Sequence, residues 1–288
     1  MLKIAMTGAR GYLGSLIRLY HKDKYEYISV TSADLDLSDP DRAREYFEQL
    51  DFDMVFHAAA RPKTEECEAY PEWTRAINAL APIEIAKVCR EKGKRFVFIS
   101  TEQVYNGKSE PGPFAEDVPT DTVTNYGRHK VEVEQWLAEN SQDYLVLRLS
   151  SMFGMALPGV KPSTNLISNT LNAIRGEKPT LFTVNELRGM TYAQRLADQF
   201  DKLIQLPTGV YHFTSENYIN TYEIAKTIAR GFGYDEETIA KYILPNHDRY
   251  KERFRDYRMD ATKIQEHGIE LGTFEEDLEI CLRDFGWK

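Results

Sequence analysis

The chain opens with an apolar segment, Leu2-Lys3-Ile4-Ala5-Met6, that runs straight into Thr7-Gly8-Ala9-Arg10-Gly11-Tyr12-Leu13-Gly14. A buried strand, a glycine turn and then the helical face Leu13, Leu16, Ile17, Tyr20 is the first half of a βαβ unit. That opening leaves few folds available. Further strands are expected at Tyr27–Thr31, Met54–Ala58, Arg95–Ser100 and Leu145–Leu149. Helices are expected between them at Pro40–Leu50, capped by Ser38 or Asp39, at Ala76–Glu91, and from Asn125 onward. Alternation of this kind predicts an α/β fold, a Rossmann-type doubly wound parallel sheet. Ligands of such sheets bind beyond the carboxyl ends of the strands.

After Leu149 the pattern changes. A Gly- and Pro-containing loop at 154–162 precedes predicted helices at Asn165–Gly176, Leu196–Leu206 and Thr221–Gly231, the last capped by Thr221. Short strands are expected at Thr180–Val184 and Val210–Phe213. Residues 1–155 are therefore expected to form a dinucleotide-binding domain. Residues 156–288 are expected to form a smaller C-terminal substrate-binding lobe, with some segments returning to the main sheet.

Composition removes several function classes. A net charge of -9 lacks the electrostatic footprint of a nucleic-acid binder. The short basic run Lys92-Gly93-Lys94-Arg95 reads as a solvated helix end. Cys67, Cys89 and Cys281 are far apart, which argues against a disulfide framework and a zinc site, and favours a reducing cytoplasm. No signal peptide is expected ahead of the first strand, and no apolar run reaches membrane-spanning length.

In the glycine loop, Gly8 permits the tight turn, Gly11 lets a pyrophosphate approach the backbone, and Gly14 lets the helix pack on the sheet. The helix N-terminus then faces the phosphates. The second strand ends Val30-Thr31-Ser32-Ala33, with no acid at its tip to hold ribose hydroxyls. Arg10 lies within reach of a 2′-phosphate, which favours NADP(H). Asp34, twenty residues beyond Gly14, is the counter-argument and keeps NAD(H) open.

A second motif, Tyr126-Gly127-Arg128-His129-Lys130, lies downstream of Ser100-Thr101. Tyr126 and Lys130 share one helix face, so the ammonium is expected to favour the phenolate and ease proton exchange. Lys130 could also hold the nicotinamide ribose. Thr101 supplies a hydroxyl for a substrate oxygen. Both motifs in this order point to nicotinamide-dependent chemistry on a carbonyl or alcohol.

With these pieces in view, the chain resembles an extended short-chain dehydrogenase/reductase. Within that superfamily it is most similar to the dTDP-4-dehydrorhamnose reductases and their relatives. The matching segments are T-G-A-R-G-Y-L-G at 7–14, D-L-D-L-S-D at 34–39, H-A-A-A-R at 57–61, S-T-E-Q-V-Y at 100–105, Y-G-R-H-K at 126–130 and R-L-S-S-M-F-G at 148–154. The likeness thins to E-L-R-G-M-T-Y-A at 186–193 and R-M-D-A-T-K at 258–263.

The resemblance implies that Thr101, Tyr126 and Lys130 are catalytic. It implies a cofactor site of Gly8, Arg10, Gly11, Tyr12, Leu13, Gly14, Ser32, Asp36, Leu37, Ala58, Ala59, Ala60 and Asn78, shared by Tyr126 and Lys130. Glu102, Gln103, Asn165 and Arg188 would face a nucleotide sugar. Plain close packing accounts equally well for the alanines, a helix cap or turn for Asn78 and Asn165, and a surface charge for Arg188. The expected reaction is NADPH-dependent reduction of a 4-keto nucleotide sugar.

Three departures bear on this. Related dehydratases carry Asp-Glu after the catalytic Thr; here the pair is Glu102-Gln103, and Gln cannot act as a base. The Tyr of the rhamnose-pathway reductases and the Cys of epimerase-reductases are also absent at Gln103. His57 replaces the Asn often seen before A-A-A and is expected to be a packed, hydrogen-bonded residue. Two rivals stay open: an NAD-dependent sugar epimerase, and a non-catalytic dinucleotide-binding regulatory subunit. The resemblance also implies a homodimer paired through the helices Asn125–Glu139 and Ala76–Glu91, with Val131, Trp136 and Leu137 as candidate contacts.

Overall fold

The computed structural model describes residues 1–155, 157–160 and 163–288. The expected first half is present: β1 (Lys3–Thr7), α1 (Tyr12–Tyr20), β2 (Glu26–Val30), α2 (Pro40–Gln49), β3 (Met54–His57), β4 (Arg95–Thr101) and β5 (Tyr144–Leu149). The central sheet has six strands, all parallel. Its order is Gly209–Phe213, β5, β4, β3, β1, β2. Strand Gly209–Phe213 thus comes from the second half of the chain and pairs with β5.

Both sheet faces are buried, and the strands alternate between two cores. On β1, Ile4 and Met6 enter one core with Leu16, Ile17, Phe56 and Phe200. Ala5 enters the other with Phe47, Val55, Ile85 and Leu137. On β4, Val97 belongs to the first core, and Phe96 and Phe98 to the second. Two further clusters lie in the second half, one around Phe153, Tyr192, Ile224 and Phe274, the other around Phe182, Ala229 and Ile243.

Several details differ from expectation. The helix expected at Ala76–Glu91 starts at Pro71 and passes through a wide π turn, Ala76–Leu80, into Ala81–Lys92. Pro82 has no N–H for the carbonyl four residues back, and the wide turn accommodates that break. The helix expected at Leu196–Leu206 is two pieces, Ala193–Asp198 and Phe200–Leu203. Gln199 sits at the break, because its amide bonds both the N–H and the carbonyl of Glu270. Asn220, not Thr221, caps the helix Thr221–Gly231. The Thr221 hydroxyl donates instead to Glu186. The basic run at 92–95 is a staple: Lys92 donates to three carbonyls at the end of α2, and Arg95 to Ile204 and Leu206.

The helix Asn125–Asn140 turns its apolar residues inward. Leu137 is buried, Val131 packs beside Tyr105 and Phe114, and Trp136 is half-buried with Arg90 over its ring. The expected homodimer contact is therefore carried by the resemblance alone. Among the described residues, no helix is long and apolar enough to cross a membrane.

Gly8 is the tightest backbone position that matters to function. Its φ is +69°, and an added Cβ would lie 2.8 Å from the backbone of Ala58 and Ala59. Gly8→Ala should therefore lower the free energy of unfolding by about 1–3 kcal/mol, the usual range for forced left-handed strain. Gly11→Ala should cost less, because Gly11 has φ -71° and meets only the Gly8 carbonyl, at 3.0 Å. Urea unfolding of both variants checks the order; equal losses would contradict it.

Candidate active site

The carboxyl ends of β1 and β3 sit side by side, with Thr7 opposite His57. The Thr7 hydroxyl accepts from the Ala59 N–H at 3.3 Å. Gly11 N–H closes the glycine turn on the Gly8 carbonyl at 2.8 Å. The result is a cleft of about 540 Å³. Of the residues expected to hold a cofactor, Gly8, Arg10, Gly11, Ser32, Asp36, Leu37, Ala58, Ala59 and Ala60 line it.

The side chains of four further expected cofactor residues do not line the cleft. The Tyr12 hydroxyl donates to the Met155 carbonyl, and Leu13 is buried in the first core. Gly14 supports the loop rather than the sheet: a Cβ there would lie 2.6 Å from the Gly8 carbonyl oxygen. Asn78 accepts from the Arg61 N–H and donates to the Arg61 carbonyl, so it pins the segment after Ala60 from behind.

Asp34 does not line this cleft. Its carboxylate accepts from the Thr31 hydroxyl at 2.7 Å and the Thr31 N–H at 2.9 Å, which hold its pKa below the ordinary value. Arg61 does line the cleft, with its guanidinium 5.0 Å from the Trp73 ring. Arg61 was not singled out from sequence, although it closes the H-A-A-A-R segment. The cleft thus offers backbone N–H groups at a helix start and two cations, a donor set that fits a phosphorylated dinucleotide.

Thr101 ends β4, and its hydroxyl accepts from the Gln103 N–H at 3.2 Å, leaving its own proton free to donate. Tyr126 stands in the first turn of the helix Asn125–Asn140, whose start is fixed by the Thr124 side chain. Lys130 follows one turn later. Its ammonium donates to the Ile99 carbonyl at 2.8 Å and lies 4.4 Å from the Phe98 ring and 5.8 Å from the Tyr126 ring.

Burial governs the charges here. It pushes the Tyr126 phenol well above its usual pKa and lowers Lys130 to about 7. Desolvation thus acts on the phenol against the expected pull of the ammonium.

A second cleft, about 600 Å³, opens beside Gln103 and Thr124. Its walls carry Lys178, Arg188, Arg249 and Arg255. Arg188 and Gln103 were expected here; Lys178, Arg249 and Arg255 were not, and only the fold brings them together. Arg188 is ion-paired with the buried Glu102 and lies 3.8 Å from the Glu186 carboxylate. Burial raises the Glu102 carboxyl to about 7, against the pull of Arg188. Glu102 is not on the cleft wall; it anchors Arg188, which is. Asn165 caps the helix Leu166–Arg175 in a reciprocal box with Ser168 and donates to the Gly154 and Ser163 carbonyls, so its amide is committed to the backbone.

A glycine-loop cleft, a Thr–Tyr–Lys set and a second polar cleft define an oxidoreductase of the extended short-chain dehydrogenase/reductase class. Within it, the chain belongs to the family described as the RmlD substrate binding domain, which matches residues 2–286. It is similar to the spore coat polysaccharide biosynthesis protein SpsK of Bacillus subtilis, at 28% identity over 99% of this chain and 98% of that protein. It is also similar to the probable low-salt glycan biosynthesis reductase Agl14 of Haloferax volcanii, at 26% identity over 95% of each. Among solved structures, the dTDP-4-dehydrorhamnose reductase of Bacillus anthracis, crystallised with NADP, shares the fold. The TM-score is 0.85, with 20% identity and 99% of each chain covered.

His57 is packed as expected but without the expected hydrogen bonds: among the described residues neither ring nitrogen has a partner, and the ring stacks on Phe98. Burial lowers its pKa from 6.5 to about 3. Because the folded value is depressed, the unfolded chain takes up the proton first as pH falls. Stability is thus fully present above pH 6.5 and is lost toward pH 3, by up to about 1.4 kcal/mol per pH unit. His212, lowered to about 3 by its own burial, acts in the same direction. His57→Asn should flatten this slope in urea unfolding measured at several pH values; an unchanged slope would remove His57 from the acid sensitivity.

Proposed function

We propose that this protein reduces a 4-keto nucleotide sugar with NADPH. The observation that carries the reading is a pair of clefts, one lined by the glycine turn and Ala58–Arg61, the other reaching Gln103 and Thr124, each two residues along the chain from Thr101 and Tyr126. One has a glycine turn and two arginines; the other has four cations suited to a diphosphate-linked sugar. The relatives named as a polysaccharide biosynthesis protein and a glycan biosynthesis reductase support the same substrate class. Residues 1–155 would chiefly hold the cofactor and 156–288 the sugar nucleotide.

In this reading Gly8, Gly11 and the start of α1 would hold the pyrophosphate. Arg10 and Arg61 would meet a 2′-phosphate, and Ala58–Ala60 would leave room for the cofactor. The cofactor supplies the hydride. Thr101 donates a hydrogen bond to the keto oxygen and fixes its orientation. Tyr126, kept protonated by burial, gives its proton to the oxygen as charge develops there, which suits the reductive direction. Lys130 stands behind the phenol and would hold ribose hydroxyls. Arg188, braced by Glu102 and Glu186, would meet the substrate's anionic part.

Tyr126→Phe should keep dinucleotide affinity and lose turnover by about a hundredfold or more, the usual scale of general acid–base work. Cofactor titration beside steady-state rates checks this, and near-normal turnover would remove Tyr126 from the mechanism. NADPH should be preferred to NADH, and Arg10→Ala should narrow that preference. A charge-assisted bond to the 2′-phosphate contributes about 1.5–3 kcal/mol. Comparison of kcat/KM for both cofactors decides; a parent that prefers NADH would overturn the arginine argument.

A further inference from the structure

One buried carboxylate beneath the site has no part in the chemistry just described. Glu134 stands one helical turn beyond Lys130 and is 5% exposed. Its carboxylate accepts from Arg148 on β5, with both oxygens 3.1 Å from Nε, and takes the Ser100 hydroxyl as well. Ser100 immediately precedes Thr101. Arg148 is held from its other side by the Tyr105 hydroxyl at 2.5 Å. One anion therefore ties the Lys130 turn of the helix to the end of β4 and to β5.

We propose, on the reading of the site given above, that Glu134 is a positioning residue. It fixes the Lys130 turn against the Ser100–Thr101 strand end and supplies the negative charge that keeps the Lys130 ammonium protonated in a dry site. Groups from several elements face that ammonium. From β3 comes His57, neutral in its apolar stack; from the helix Thr64–Ala69 comes Cys67; from β4 come Phe98 and the Ile99 carbonyl. Tyr126, on the same helix, is uncharged. Burial pulls the Lys130 pKa down, and Glu134 is the chief influence opposing it. Without that carboxylate the amine would be neutral near pH 7 and would lose two things together, its charge and one of its three donors.

A purely structural pair between Glu134 and Arg148 would also hold helix to strand, so the test needs a readout that such a role leaves still. Lysine labelled at Cε and Nζ reports the Lys130 titration by NMR, with Lys130→Met used for assignment. In Glu134→Gln the Lys130 midpoint should fall by about one pH unit, a tenfold change in the protonation equilibrium. The loss of kcat with rising pH should then begin about one unit lower, with KM for the keto-sugar within about twofold, and Glu134→Asp should restore part of the shift. Where the single variant does not fold because Arg148 is left unpaired, Glu134→Gln/Arg148→Gln neutralises both partners and should show a smaller shift in the same direction, because the opposing guanidinium charge leaves with the carboxylate. A folded variant with the Lys130 midpoint and the pH profile unchanged overturns the proposal. The Lys130 titration is read on the protein alone. A wild-type protein that shows the shift but no turnover of NADPH with keto-sugars would instead overturn the functional reading.

Discussion

Neighbouring parallel strands finish side by side, and the candidate site is built on that edge. Thr7 pairs with His57, and Thr101 lies opposite Leu149. The chain must turn sharply as it leaves β1, and Gly8 turns against the backbone of Ala58 and Ala59 with no room for a side chain. That contact lets the glycine turn and the alanine segment share one cleft. It also aims the start of α1 at the same space. Remove the parallel register and Thr101 no longer ends beside the helix that carries Tyr126.

The second constraint is dryness. Tyr126 and Lys130 are both buried, and desolvation decides their charge states before any partner does. A protonated phenol and a lysine poised near neutrality follow from burial. The network of Glu134, Arg148 and Ser100 below them then works as a counterweight. On the far side, Glu102 does similar service for Arg188. A carboxyl that burial lifts to about 7 is held next to a guanidinium that reaches the second cleft. Both acids lie behind the cations they serve, out of reach of a ligand.

The first half of the fold was legible because its strands are apolar on both faces and its turns carry glycine and capping residues. Gly8, Ala58 and the other cleft residues next to strand ends were legible for the same reason, whereas Asp36 and Leu37 came only from the resemblance. Legibility failed where a side chain serves the backbone. Asn165 and Asn78 fit a cap or a ligand contact equally well in sequence, Gln199 carries no signal there, and all three are bound to main-chain atoms in the fold. It failed again where the site is assembled from distant segments. Lys178, Arg249 and Arg255 have no shared motif, and only the pairing of Thr180–Thr183 with Ile243–Asn246, and of Glu186–Leu187 with Arg255–Asp256, brings them to one wall. The burial of Tyr126 was not legible, because spacing shows the neighbouring lysine but not the depth at which both lie.

The proposed reaction is net transfer of hydride to a sugar carbonyl beside Thr101 and Tyr126. Its most direct test is a single turnover with NADPH deuterated at the transferring position and a 4-keto nucleotide sugar, followed by mass spectrometry and NMR of the product. One deuterium is expected on the carbon that bore the keto oxygen, with the cofactor left oxidised. Recovery of unlabelled sugar with the deuterated cofactor intact, or return of the label to the cofactor after inversion at that carbon, would contradict it.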